Sequence, residues 1–394
     1  MYIRYSCSVF LSLLFLFCSC HDRKDAQQRV MVSQTKCFDL CLDRFQVQEC
    51  KYSDLFSKVD YVFLEDKEEA LFGDFCRMTR TNDKDFVFLD LVNRKVVRFD
   101  SLGNFLNTIG ERGRAENEYI DPKLICYNKY KDEILINDHS GRCILVYRPD
   151  GTYLYKIPLN CIINAMSMVN DSLIACYLYY WIVGENGYER KKDFVVFDTA
   201  GQIVYQDIPH NNKITFDTDN NNVFEETPRG LLFCHPCTHV VYRVTESCLV
   251  PEYCFSFSSN NLAERWNVGD SVSVSIYPEE IHPRRLWHFI EFGESRIYAL
   301  LFYDEKSFLY SMDSIANQSV HVYPWTLNIR NDMYGKVGFQ LGQLTFGGKM
   351  YQLISSDVCQ EILDSKILLS DKERSLLERG ARNKNYILQV CTFK

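Results

Sequence analysis

From Phe86 to Ile109 the chain reads FVFLDLVNRKVVRFDSLGNFLNTI, in which apolar and alternating positions are broken by the polar groups VNRK and DSLGN. Alternation with a period of two sends successive side chains to opposite faces of a strand, and clusters of Asp, Asn and Gly reverse the chain. The pattern predicts hairpins of short antiparallel strands. It returns in ILINDHSGRCILVYRPDGTYLYKI and FVVFDTAGQIVYQDI, whose turns RPDGT and DTAGQ match DSLGN. Gly103, Gly151 and Gly201 hold the same place in these turns, 48 and 50 residues apart, where positive φ falls most easily to glycine.

The segment LLFCHPCTHVVYRV continues the series, with Tyr242 standing 45 residues after Phe197, and weaker copies follow in SRIYALLFYDEKSFLYSM and GFQLGQLTFGGKMYQLIS. Strand-like pieces such as KLICYN and SLIACYLYYWIV lie between copies and bring each unit to about four strands. A period in the forties built from four short strands predicts small sheets arranged radially, each burying both faces against its neighbours. The six units therefore predict an all-β, six-bladed β-propeller. Equal spacing is not what a sandwich requires. Helical patterning is confined to DVCQEILDSKILL and SDKERSLLERGA, with Ser370 as an N-cap and Glu373 three residues on. A ring also needs closing, and the alternating segment Val59 to Asp66 is the expected strand that completes the sheet around GQLTFGGKMYQLI.

The order of SDLFSKVDYVFLED, the first hairpin with TIGERGRAENEYIDP, HVVYRVTESCLVPEYCFSF and NYILQVCTFK resembles the six-bladed β-propeller lipoproteins, which are related in pattern to NHL-repeat propellers. The resemblance covers Ser53 to Lys394. In that family the loop after the first hairpin reads G-x-x-G-x-G-P-G-E-Y; here Gly110, Gly113, Glu118 and Tyr119 fit, while Ala115, Glu116 and Asn117 replace G-P-G. Two roles fit this loop. It is either a connector in which Tyr119 packs down and Glu118 pairs with Arg112 or Arg114, or a ligand-binding loop presenting Arg112, Arg114, Glu116, Glu118 and Tyr119.

The N-terminus carries Arg4, an apolar run from Val9 to Phe17, small Ser19, Cys20 and an abruptly polar HDRKDAQQR. This is similar to a bacterial lipoprotein signal, although Phe17 stands where the usual lipobox has Leu. The implied organisation is a signal peptide over 1–19, lipidation at Cys20, a tether and N-terminal segment over 20–52, and the propeller over 53–394. The expected location is the bacterial cell envelope, anchored by lipid on the periplasmic or cell-surface side. With 44 Lys and Arg against 52 Asp and Glu and no basic block, nucleic acid is excluded as a partner.

Seventeen cysteines in an exported chain raise the question of disulfides. Cys126, Cys143, Cys176 and Cys254 sit within apolar strands and read as small buried hydrophobes, which leaves Cys37, Cys41 and Cys50 as the more promising disulfide source. CHPC, Cys234 to Cys237, has dithiol spacing beside His235 and His239 but lies between two strands, whereas a redox motif opens a helix. No nucleophile elbow or metal motif is present, and no cofactor is expected. Asp90 and Asp138, at matching strand ends 48 residues apart, are candidate channel acids or turn caps. Tyr179 to Trp181, Trp266, Trp287 and Trp325 could stack on sugar rings or pack between blades. The expected function is a non-catalytic module binding a protein or glycan-like ligand; the alternative is a propeller-type hydrolase or lyase with acids in the central channel.

Overall fold

Strand Phe86–Asp90 is buried along its whole length because its two faces serve two different interfaces. Phe86 and Phe88 pack with Tyr351, Leu388 and Val390, whereas Val87 and Leu89 pack with Ile134, Ile136 and Leu145. A strand between two apolar layers has no solvated face, which is why the apolar runs here are nearly continuous. The computed structural model describes residues 35–39, 51–73, 76–183, 187–189, 192–209, 214–216, 223–257, 272–274, 285–292, 296–303, 306–314, 319–324, 331–338 and 344–394.

Among these residues the chain forms successive antiparallel sheets, labelled I to VI, each with strands A to D in pairing order. Sheet I holds Cys76–Arg80, Phe86–Asp90, Lys95–Phe99 and Phe105–Thr108, and sheet II holds Pro122–Asn128, Glu133–Asp138, Cys143–Tyr147 and Tyr153–Pro158. Sheet III holds Cys161–Met168, Leu173–Val183, Lys192–Asp198 and Ile203–Pro209, with Gly187–Glu189 pairing to its second strand. Sheet IV holds Phe224–Thr227, Gly230–Cys234, Val240–Val244 and Leu249–Ser256, and sheet V holds Arg285–Phe292, Arg296–Tyr303, Lys306–Ser314 and Ser319–Pro324. In sheet VI, Leu344–Phe346, Lys349–Ile354 and Ile387–Phe393 are joined by Phe56–Phe63.

Apolar clusters lie between I and II, II and III, III and IV, IV and V, V and VI, and VI and I. Each sheet thus buries both faces against its neighbours and the series returns to its start. This is an all-β propeller with few helices. The N-terminal strand closes it: Val59 pairs with Cys391 and Phe63 with Ile387, so strand D of sheet VI comes from the opposite end of the described chain. The strand starts three residues before the expected Val59 and ends at Phe63, with Leu64 N–H still donating to the Tyr386 carbonyl at 3.1 Å in the same register.

The turn glycines have a second duty besides positive φ, which is 92° at Gly103, 93° at Gly151 and 79° at Gly201. A Cβ on Gly103 would meet the Phe63 carbonyl oxygen at 2.1 Å, and one on Gly201 would meet that of Pro158 at 2.3 Å. The C–D turn of one sheet therefore seats against the D strand of the sheet before it. Two helices, Ser356–Asp364 and Asp371–Arg382, cover sheet VI, and Ser370 with Glu373 forms the expected capping box on the second.

Lys36–Asp39, within the tether and N-terminal segment expected over 20–52, pairs parallel with Leu249–Ser256 as a fifth strand on sheet IV. Phe38 drives this, since it is buried against Tyr253 and Phe255. The signal segment, Cys20, Cys41 and Cys50 lie outside the described residues, and no helix among those described is long and apolar enough to cross a membrane.

Candidate functional site

The expected binding loop leaves strand D of sheet I and reaches strand A of sheet II. Tyr119 is buried, its hydroxyl donating to the Ile109 carbonyl at 3.3 Å, and burial pushes it up to about 12. Tyr147 donates to the Asn117 carbonyl at 2.8 Å, and Glu111–Arg112 pairs with Glu118–Tyr119 as a small parallel bridge. Glu118 does not pair with Arg112 or Arg114. Its carboxylate accepts the Ala115 N–H at 2.8 Å and fills the space where a Cβ on Gly113 would stand, 1.8 Å away. Arg112, Arg114 and Glu116 are exposed on this braced loop.

Asp90 and Asp138, the candidate channel acids, end the second strands of sheets I and II. Asp90 is completely buried; its Oδ1 accepts the N–H groups of Val92 and Asn93, both at 2.9 Å, and its Oδ2 accepts Gly73 N–H at 2.8 Å and Asn93 Nδ2 at 2.6 Å. Burial alone would raise this carboxyl, but the hydrogen bonds from Asn93, Gly73 and Val92 outweigh it and hold it below its ordinary value. Asp138 accepts Ile120 N–H at 2.9 Å and Asp121 N–H at 2.8 Å. Both acids fasten an incoming connector to the B–C turn, which spends their lone pairs on the backbone.

CHPC spans the turn between strands B and C of sheet IV, with both cysteines buried. His235 Nδ1 accepts Cys237 N–H at 3.3 Å, so its Nε2 carries the proton and donates to buried Asp193 at 3.1 Å. Burial pushes Cys234 up to about 12, the opposite of a reactive thiol. Among the described residues no group of three or more His, Cys, Asp or Glu is placed to hold a metal ion. Trp266 and Trp325 lie outside the described residues, while Trp181 and Trp287 fall in strands of sheets III and V.

The residues that do converge were not singled out by sequence. The ends of the innermost strands and their A–B turns line a cavity of about 430 Å³, within the range of small-molecule sites. Sheet I contributes Arg80, Thr81 and Asn82, sheet II Tyr127 and Lys129, sheet IV Glu226 and Thr227, sheet V Glu291, and sheet VI Gly347 and Gly348. Since Asp138 ends the strand that starts at Glu133 beside this cavity, the Arg112 to Glu118 loop belongs to the other face.

The polar groups of this mouth are ordered before any ligand arrives. Lys129 Nζ stands 3.2 Å from Glu226, whose other oxygen accepts the Ser167 hydroxyl of sheet III at 3.5 Å. Asn82 Nδ2 donates to the Lys129 carbonyl at 2.9 Å, and the Tyr127 hydroxyl donates to Asp132 at 2.7 Å. Glu291, with no exposed side-chain surface, pairs with Arg229 and with Arg243 at 3.4 Å and accepts the Tyr253 hydroxyl at 2.7 Å. Arg80 donates to Tyr351 at 3.1 Å and to the Lys84 carbonyl at 2.6 Å and lies over the Phe86 ring, while its buried Nε has no acceptor among the described residues. Beside the mouth, burial and then neighbouring Glu226 raise the Glu225 carboxyl well above its ordinary value. A rigid ring of mixed charge, hydroxyls and amides can orient a small polar molecule.

The match to a known family runs over residues 38–392, to the family described as a domain of unknown function, DUF4934. The chain belongs to the DUF4934 family. No curated protein matches it. It is similar to a solved structure from Bacteroides fragilis named a candidate exported protein, at 17% identity over 91% of this chain and 99% of that one, with a TM-score of 0.65. A DUF4221 member from Bacteroides vulgatus is 10% identical over 86% of this chain and 97% of that one, with a TM-score of 0.46. The first likeness supports the propeller fold of this DUF4934 chain.

Proposed function

We propose that this DUF4934 chain is a lipid-anchored, six-bladed propeller of the bacterial cell envelope that binds a small polar, glycan-like ligand at the A–B mouth without turning it over. The observation that carries the reading is the cavity lined by sheets I, II, IV, V and VI, with Ser167 of sheet III bonded to Glu226. Six blades are supported by the six apolar clusters joining consecutive sheets around the ring. Export is supported by the signal-like N-terminus and by the name of the Bacteroides fragilis neighbour. A binding role is favoured over catalysis because Glu226 and Glu291 are already committed to Lys129, Arg229 and Arg243. Calorimetric titration of the purified protein with chito-, malto- and uronate-containing oligosaccharides tests the reading. One of them is expected to bind and to be recovered intact; no binding across the panel, or cleavage products, would overturn it.

A second reading, a hydrolase or lyase, rests on Glu225 beside Glu226, since a carboxyl raised well above its ordinary value by burial and by a neighbouring carboxyl is the kind of group that serves as a general acid. Product formation that disappears in Glu225→Gln, with the fold intact by circular dichroism, would favour it.

A further inference from the structure

The fifth strand of sheet IV brings two thiols together. In its parallel register Cys37 is the partner of Cys254, flanked by the pairs Lys36 with Tyr253 and Phe38 with Phe255. Register partners in a parallel pair point to the same face, and neighbouring strands lie about 4.8 Å apart, inside the Cα separation that a disulfide spans. Phe38, Tyr253 and Phe255 turn to the core face, which leaves Cys37 and Cys254 on the opposite one. Cys37 is exposed and Cys254 half-buried, so an oxidant reaches the pair, unlike the buried Cys126, Cys161 and Cys176. Both are free thiols in this structure. Burial, and then neighbouring Cys37, raises the Cys254 thiol, which makes Cys37 the first to react.

We propose that Cys37 and Cys254 are a disulfide-forming pair that locks the N-terminal segment onto the outer edge of sheet IV after export. The Cys37 thiolate attacks one sulfur of a small-molecule or protein disulfide and expels a thiolate, giving a mixed disulfide. The Cys254 thiolate then attacks the Cys37 sulfur and expels the second thiolate. Two protein thiols are oxidised, one donor disulfide is reduced to two thiols, and the two protons pass to the leaving groups. The short strand is otherwise held by contacts such as Thr35 Oγ1 to the Pro251 carbonyl at 3.2 Å and Ser256 Oγ to the Phe38 carbonyl at 3.4 Å. The bridge would fix where the tether leaves the propeller, with a reach of about 50 Å from Thr35 back to Cys20.

The oxidation in cells rests on the envelope location proposed above, so the experiment has two arms. Purified full-length protein is equilibrated with oxidised glutathione, and cells producing it are quenched with iodoacetamide; both samples are digested and analysed by mass spectrometry. A Cys37–Cys254 linked peptide is expected in both, together with cleavage near residues 35–50 at least tenfold slower than in Cys37→Ser or Cys254→Ser. If neither thiol is linked to the other in glutathione, or if either pairs elsewhere, the inference is overturned. A link that forms in glutathione but is absent from cells overturns the envelope location and leaves the pairing standing.

Discussion

Replacing Asp90 by Asn separates the turn-fastening role from a catalytic one. The carboxylate accepts four hydrogen bonds, two on each oxygen. An asparagine that keeps Oδ1 toward Val92 and Asn93 must point its own NH₂ at the Gly73 N–H and the Asn93 amide, so two acceptances become two donor clashes. Hydrogen bonds to a charged, buried group are worth about 1.5–3 kcal/mol each, and allowing for non-additivity the expected loss is about 3–5 kcal/mol. With a urea slope near 3 kcal/mol/M the midpoint should fall by roughly 1 to 1.7 M. Because the folded-state pKa is lowered, the stabilisation is complete above the unfolded value of about 3.9 and is lost as pH falls through the folded value. The gap between wild type and Asp90→Asn should be equal at pH 7 and pH 5 and narrower at pH 3. Urea unfolding followed by circular dichroism at these three pH values reads it. A variant within 0.5 kcal/mol of wild type, by the usual tolerance for surface changes, or a gap unchanged at pH 3, would refute the reasoning.

Other expectations follow from the same geometry. Deleting Ser53 to Asp66 removes strand D of sheet VI and exposes Ile387–Phe393 as an open edge, so aggregation or loss of cooperative unfolding is expected by light scattering and calorimetry; a truncated chain melting like the full one would contradict ring closure. Arg112→Ala with Arg114→Ala should shift stability by less than about 0.5 kcal/mol, because both side chains are exposed, and a larger fall in urea midpoint would assign them a structural role. Cys20→Ala should leave an unacylated, uncleaved precursor, visible as a mass difference; normal processing of the variant would end the lipoprotein reading.

The hairpins were legible because their chemistry is local. Asp100 accepts Leu102 and Asn104 N–H groups, and Asp198 accepts those of Ala200 and Gln202, each at 2.8 or 2.9 Å, so Asp and Gly at fixed offsets announce the turn in sequence. The helix cap at Ser370 was legible for the same reason, and the closing strand from its alternation ahead of the first hairpin. The mouth was not. Arg80, Glu226 and Glu291 come from three inner strands and Lys129 from the turn after a fourth, and the copies differ in residue type at that place, so no repeat marks them. The weaker repeats also shifted in frame: the last copy falls on strands A and B of sheet VI, where the first falls on B, C and D of sheet I. Asp90 and Asp138 stood out because they repeat, and they repeat because the connectors entering sheets I and II are fastened in the same way. Cys37 drew notice as a disulfide source, but its partner across the sheet is 217 residues away, and only strand register reveals it.

The most direct test of the account compares one oligosaccharide across three proteins by calorimetric titration: wild type, Arg80→Gln with Glu226→Gln at the mouth, and Arg112→Ala with Arg114→Ala on the opposite face. The account predicts a Kd at least tenfold weaker for the mouth variant, about 1.4 kcal/mol, with the loop variant indistinguishable from wild type. Binding that survives the mouth substitutions and is lost with the two loop arginines would contradict it.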